Sequence, residues 1–275
     1  MKKALYIITI LLLVAVFGVS AFHVGSYFLE GRESEKQYDE LTAIKDAAAQ
    51  NATTEATQEA TESTEETGPT EETEPQMLAG YAELYEMNPD FVGWLKIDGT
   101  KLDYPVMQTS TDNRDFYLYR DFNKEDNVRG SVYAREECNI LEPSDNITLY
   151  GHNMADGTMF AALNDYVDKE TWEENSLIFF DTLYEFHVYK IFAVFKTTAS
   201  VGEGFRYHQM VDAESEEEFN EFVDMCKNLS SYGLGYTFYD TGLTPKYGDK
   251  IICLSTCEYS YPENGRLVVA AYRIS

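Results

Sequence analysis

KIICLSTCEYSYPENGRLVVAAYRIS, residues 250–275, decides how this chain is read. Two apolar runs, KIICLST and RLVVAAYRI, flank the eight residues EYSYPENG. Their Ile, Val and Leu content, bounded by turn formers, predicts two strands. Asn264-Gly265 is a turn signal immediately before Arg266. Antiparallel pairing of the two runs puts Cys257 at the end of one strand and Arg266 at the start of its neighbour, both side chains at one mouth of the sheet. A thiol is a useful nucleophile when it is accessible and a cation favours its thiolate. Arg266 carries a permanent charge and several N–H donors, enough to favour a thiolate or to hold a developing oxyanion.

A nucleophilic mechanism also needs a group that hands a proton to the leaving amine. The chain has four histidines, His23, His152, His187 and His208. His23 belongs to the apolar N-terminal segment, and His187 lies inside the alternating run EFHVYKIF, which is a structural position. His208 follows glycine-containing loop sequence and stays open as a candidate. His152 follows the run NITLY directly, in the glycine-bracketed loop YGHNMADGTMF, and is the preferred one.

The other cysteines have plainer expectations. Cys226 falls on an apolar helical stripe and Cys253 inside the IICL run, so both are expected in the core, while Cys138 sits in a polar loop. An extended 253–257 segment holds Cys253 and Cys257 roughly 13 Å apart, too far for a disulfide. A zinc site from Cys253, Cys257 and His152 lacks both the C-x2-C spacing and a fourth ligand. No metal or cofactor is expected, and no P-loop or dinucleotide fingerprint is present.

The rest of the chain sets the context. Its 275 residues carry 21 basic and 48 acidic side chains, a net −27, with no basic cluster. Nucleic acid is therefore not an expected partner. Lys2 and Lys3 are followed by no charged residue until Glu30, a stretch long enough to cross a membrane as a helix. Residues 1–29 are read as an uncleaved anchor, contacting the cell membrane through residues 4–29, with its basic end in the cytoplasm. A cleaved signal peptide is the competing reading, with Val19 and Ala21 as its weak cleavage signal. Residues 51–75 contain eight Glu and eight Thr with no Lys or Arg, a composition expected to stay disordered. With a short helix over 31–50, residues 30–76 form an extracellular acidic stalk, and residues 77–275 a folded domain.

That domain shows eight β-like runs: FVGWLKI, DYPVMQ, GSVYAR, NITLYG, SLIFFD, FHVYKIFAVFKT, KIICLS and RLVVAAYRI. Helical patterns cover MLAGYAELYEMNPD, MFAALNDYVDKETWEEN and ESEEEFNEFVDMCKNLSSY, residues 77–90, 159–175 and 214–232. Short strands in this number with few helices suggest a mostly β, closed or nearly closed barrel.

LSTC with a downstream strand-opening Arg, an upstream YGHN-M segment and an anchored N-terminus together resemble the sortases of Gram-positive bacteria. NPDFVGWLKIDGTKLDYPVMQ and the helix at 214–232 resemble class B, and the likeness covers residues 77–275. It implies the sortase β-barrel of about eight strands, with an N-terminal helix and one long helix before the cysteine strand. It also implies Cys257 as nucleophile, His152 as general acid and base, and Arg266 as substrate-orienting or oxyanion-holding. Ser255, Thr256, Glu258, Tyr259 and Asn113 are the implied substrate contacts. The activity implied is transpeptidation: cleavage of a C-terminal sorting motif of an exported protein at its Thr carbonyl, then transfer to an amine of a peptidoglycan precursor or a pilin. On the residues alone, a hydrolytic cysteine protease and an anchored binding domain with no activity remain the alternatives.

Overall fold

The computed structural model describes residues 2–62, 76–259 and 264–275, and the chain divides into two compact units, Met1–Ala43 and Ile44–Ser275. Helix α1 (Lys2–Glu62) contains the segment Tyr6–Gln50, long and apolar enough to cross a membrane. The tract from residue 51, expected to be disordered, is helical as far as Glu62; residues 63–75 lie outside the described residues. The first proline of the chain is Pro69 and no glycine stands between Gly31 and Gly68, so Ala, Glu and Gln propagate the helix with no residue to break it. The second unit also takes in residues before 77: the Lys45 ammonium lies 4.3 Å from the Trp94 ring and 3.6 Å from an Asp103 carboxylate oxygen.

Among the described residues, nine strands form one sheet: β1 (Phe91–Lys96), β2 (Asp103–Met107), β3 (Val132–Ala134), β4 (Asn146–Tyr150), β5 (Leu177–Thr182), β6 (Val188–Thr198), β7 (Tyr236–Thr237), β8 (Ile251–Cys257) and β9 (Gly265–Arg273). Their order is β5-β1-β2-β3-β4-β8-β9-β6-β7, and β6 also pairs with β5. Eight strands therefore close into a barrel, which leaves it without a free edge. The two-residue β7 lies outside the closure, beside β6. Each of the eight apolar runs yields one barrel strand; β7 is too short to have a period.

The three predicted helical stretches contain α2 (Tyr81–Met87), a 3-10 segment (Phe160–Val167) leading into α3 (Lys169–Glu174), and α4 (Glu216–Lys227). Helix α4 starts at Ser215, whose hydroxyl accepts from the Glu218 amide at 3.2 Å. Three glutamates in its first turn and Lys227 in its last suit the helix dipole. Its buried face, Phe219, Phe222, Val223 and Cys226, packs with Ile251, Cys253, Val268 and Ala270 of β8 and β9. Successive strand residues face opposite sides, so Ile251, Cys253, Ser255 and Cys257 share the outer face of the barrel. Cys226 and Cys253 are core residues, as expected, and Cys138 is buried as well. All four cysteines are free.

Candidate active site

Register brings the candidate residues together. In the antiparallel β8–β9 pair, Cys257 stands directly opposite Arg266, and directly opposed residues share a face. On its other side β8 pairs in parallel with β4, Tyr150 beside Ser255. His152 lies two residues beyond Tyr150, as Cys257 lies two beyond Ser255. With strands about 4.8 Å apart, three neighbouring strand ends deliver His, Cys and Arg to one place. A cavity of about 290 Å³ opens there, and all three residues line it.

The junction is bonded rather than merely adjacent. The Thr256 hydroxyl donates to the Gly151 carbonyl at 2.8 Å, and the Asn153 amide donates to the Cys257 carbonyl at 2.9 Å. Asn164 in turn donates to the Asn153 side-chain oxygen at 2.9 Å. Gly151 is required by close approach, because a Cβ there would stand 2.6 Å from the Phe160 ring. The His152 Nε2 lies 2.7 Å from the Leu118 carbonyl oxygen. A carbonyl only accepts, so that nitrogen carries the hydrogen and the lone pair of a neutral ring is on Nδ1. The Tyr119 ring packs on the imidazole at 5.5 Å. Arg266 donates from Nη1 to the Gly265 and Asn264 carbonyls at 2.9 and 3.3 Å, which leaves further guanidinium donors for a ligand.

The sortase domain family matches residues 95–274, well over half of the chain. The chain belongs to the sortase family. It is 34% identical over 194 residues to sortase B of Staphylococcus aureus, covering 70% of this chain and 74% of that protein. It is 30% identical over 264 residues to sortase B of Listeria monocytogenes, covering 94% and 92%. Among solved structures it resembles a Staphylococcus aureus sortase B–substrate complex, with a TM-score of 0.70 and 27% identity over 90% of this chain and 99% of that one. Class B is thus the type of this sortase, and its activity is that of a sortase-type cysteine transpeptidase.

The other sequence-derived residues divide. Ser255 and Thr256 line the cavity, both buried, and the Ser255 hydroxyl lies 2.6 Å from that of Tyr207. Glu258 is not among the lining residues; one position past Cys257, it turns to the opposite side and pairs with Lys196 at 2.9 Å. Tyr259 is 76% exposed and outside the lining. Asn113 is exposed in the 3-10 turn Thr111–Asn113, and the residues that reach the cavity from this segment are Arg114, Asp115 and Leu118. Sequence reasoning missed Tyr207, Arg135 and Glu136, which also line it. They stand on non-repeating loops, where no periodicity marks a side chain's direction. Of the histidines, His208 joins His152 at the cavity and His187 does not. Burial lowers the His208 pKa to about 4, and Arg135 and Arg206 push it the same way.

The loop after His152 carries a pH-sensitive contact. Burial alone would raise the pKa of Asp156, but hydrogen bonds from the Thr158 hydroxyl and amide and the Arg129 guanidinium outweigh it and hold the carboxyl below its ordinary range. A lowered folded pKa means stability that is whole above the unfolded aspartate value of about 3.9 and is lost as pH falls through the folded one. Asp156→Asn should therefore lower Tm most at neutral pH, with the gap to the wild type narrowing as the pH falls below the unfolded aspartate value. Thermal melts at pH 7, 5 and 3 test this; a gap that stays constant across the series contradicts it.

Proposed function

We propose that this sortase cleaves a C-terminal sorting motif of exported proteins at a Thr carbonyl and transfers the acyl group to an amine of a peptidoglycan precursor or a pilin. Cys257 is the nucleophile. Its sulfur bonds to the carbonyl carbon as the C–N bond breaks, and the thiol proton passes through His152 to the leaving amine. The acceptor amine then attacks the thioester, the C–S bond breaks, and the amine's proton returns through His152 to the thiolate. Splitting one amide exchange into two steps is the gain of covalent catalysis. Arg266 orients the substrate or holds the oxyanion, and Ser255 and Thr256 line the groove. Residues 1–29 anchor the chain in the membrane with the N-terminus cytoplasmic, residues 30–76 act as a stalk, and residues 77–275 work outside the cell, where substrate and acceptor meet.

The observation that supports this reading is the register: Cys257, His152 and Arg266 leave three adjacent strand ends around one open cavity. The full chain in detergent micelles, given a panel of fluorogenic sorting peptides with and without amine acceptors, provides the test. Cleavage that depends on Cys257 and yields ligated product when amine is present is expected. Cleavage yielding only the free acid with every acceptor supplied contradicts the transfer step.

A further inference from the structure

Arg129 is 1% exposed, a buried guanidinium in the turn before β3. Burying a charge carries a desolvation penalty that an apolar side chain of similar volume would avoid, so its presence calls for another reason. The contacts of Arg129 supply one. Its Nη1 lies 2.5 Å from an Asp156 carboxylate oxygen and donates to the Thr158 hydroxyl at 2.9 Å. The other Asp156 oxygen accepts from the Thr158 amide at 3.1 Å and hydroxyl at 2.7 Å. Both residues belong to the loop that begins at His152, which is closed by the Asn153–Met159 bridge and by the Phe160 amide donating to the His152 carbonyl at 2.9 Å.

The residues next to Arg129 hold the other half of the histidine's surroundings. Gly130, at φ +56°, lies against the chain that supports the imidazole: a Cβ there would stand 2.4 Å from the Leu118 carbonyl oxygen and 2.6 Å from that of Tyr117. The Ser131 amide donates to the Tyr117 carbonyl at 2.9 Å, and its hydroxyl to the Arg120 carbonyl at 3.0 Å. Residues 129–131 thus tie the loop that carries His152 to the segment Tyr117–Arg120, whose Leu118 carbonyl accepts from His152 Nε2.

We propose that Arg129 is a positioning residue for the transpeptidation: by clamping Asp156 and Thr158 it keeps the imidazole on the Leu118 carbonyl as the Nε2–H tautomer, with Nδ1 left to exchange the proton. The proposal rests on His152 being the general acid and base. A displaced catalytic group of this kind lowers turnover by up to about 10²-fold while substrate binding persists. Lysine at 129 keeps the charge but carries it on a flexible stem in place of the rigid guanidinium plane, so it restores only part.

The test uses the full chain in detergent, with kcat and KM for a cleaved sorting peptide measured at saturating acceptor. The chain has four histidines, so ring-15N labelling yields few signals, and His152→Gln assigns the relevant one. Arg129→Met is expected to lower kcat about 10- to 100-fold with KM within about twofold, and to turn the His152 signal from Nε2–H into a mixture of tautomers. Arg129→Lys is expected between the two. Asp156→Asn, which keeps the loop's shape, should shift the same signal in the same direction and serves if Arg129→Met does not fold. A lowered Tm with unchanged kcat per folded molecule and an unchanged His152 signal would overturn the proposal and leave Arg129 a structural residue. Full turnover in His152→Gln overturns it by a separate route, because the reading of His152 itself then fails.

Discussion

Alanine at position 257 should leave a folded protein whose kcat/KM for sorting peptides has fallen by at least about 10⁴-fold. In the proposed mechanism the thiol sulfur holds the acyl group, and among the described lining residues the neighbouring hydroxyls are engaged elsewhere, Ser255 with Tyr207 and Thr256 with the Gly151 carbonyl. Folding should survive, because Cys257 is only part-buried at the end of β8 and its contribution to the barrel is the main-chain pairing with Arg266 and the carbonyl held by Asn153. The measurement is a fluorogenic turnover assay beside a thermal melt on the same preparation. Retained turnover in Cys257→Ala would remove the nucleophile from the proposed mechanism. Lost turnover accompanied by lost folding would call for Cys257→Ser, which keeps the volume.

The second large effect separates two histidines that share the cavity. His152→Gln should cost about 10²- to 10⁴-fold in kcat, the usual contribution of general acid–base catalysis, whereas His208→Gln should cost less than about tenfold. The difference follows from their surroundings. Burial, then Arg135 and Arg206, lower the His208 pKa to about 4, so its ring is a poor acceptor for the thiol proton that the leaving amine must receive. His152 instead has a defined donor contact to Leu118 and stands on the strand end next to that of Cys257. Single-turnover acylation, followed by mass of the thioacyl enzyme, isolates the step in which the leaving amine is protonated. Equal losses in the two variants would mean that the division of roles between them is wrong.

Strand identity was legible because the barrel strands are runs rich in β-branched and aromatic residues with Gly, Asp, Asn or Pro at most boundaries, and burial of the barrel wall demands that composition. Helix α4 was legible for the same reason, its apolar stripe at Phe219, Phe222, Val223 and Cys226 meeting the outer face of β8 and β9. The 159–175 stretch read as one helix, yet it begins as a 3-10 segment. Its apolar spacing does not distinguish three residues per turn from 3.6 over eight residues. The acidic tract read as disordered from its lack of large apolar residues; as far as Glu62 it continues α1, with no Pro or Gly to break the helix.

The site shows the same division more sharply. Cys257 and Arg266 could be placed opposite each other from residues 250–275 alone, because a short loop with a turn signal leaves an antiparallel pair little choice of register. The parallel pairing of β4 with β8 was not accessible that way: it joins segments about a hundred residues apart, and no local pattern encodes which strand end lies beside which. Only that pairing set His152 level with Cys257. The same dependence explains Glu258 and Asn113, adjacent in sequence to lining residues yet outside the lining, Glu258 turned to Lys196 by strand alternation and Asn113 exposed in a 3-10 turn. What the amino-acid sequence determined by itself was the chemistry, a thiol, an imidazole and a guanidinium at three strand boundaries, because residue type and local periodicity are properties of neighbours along the chain. Which of the flanking side chains share the cavity, and that buried Arg129 reaches the histidine loop, were decided by closure of the barrel, which brings distant segments into contact through register and packing.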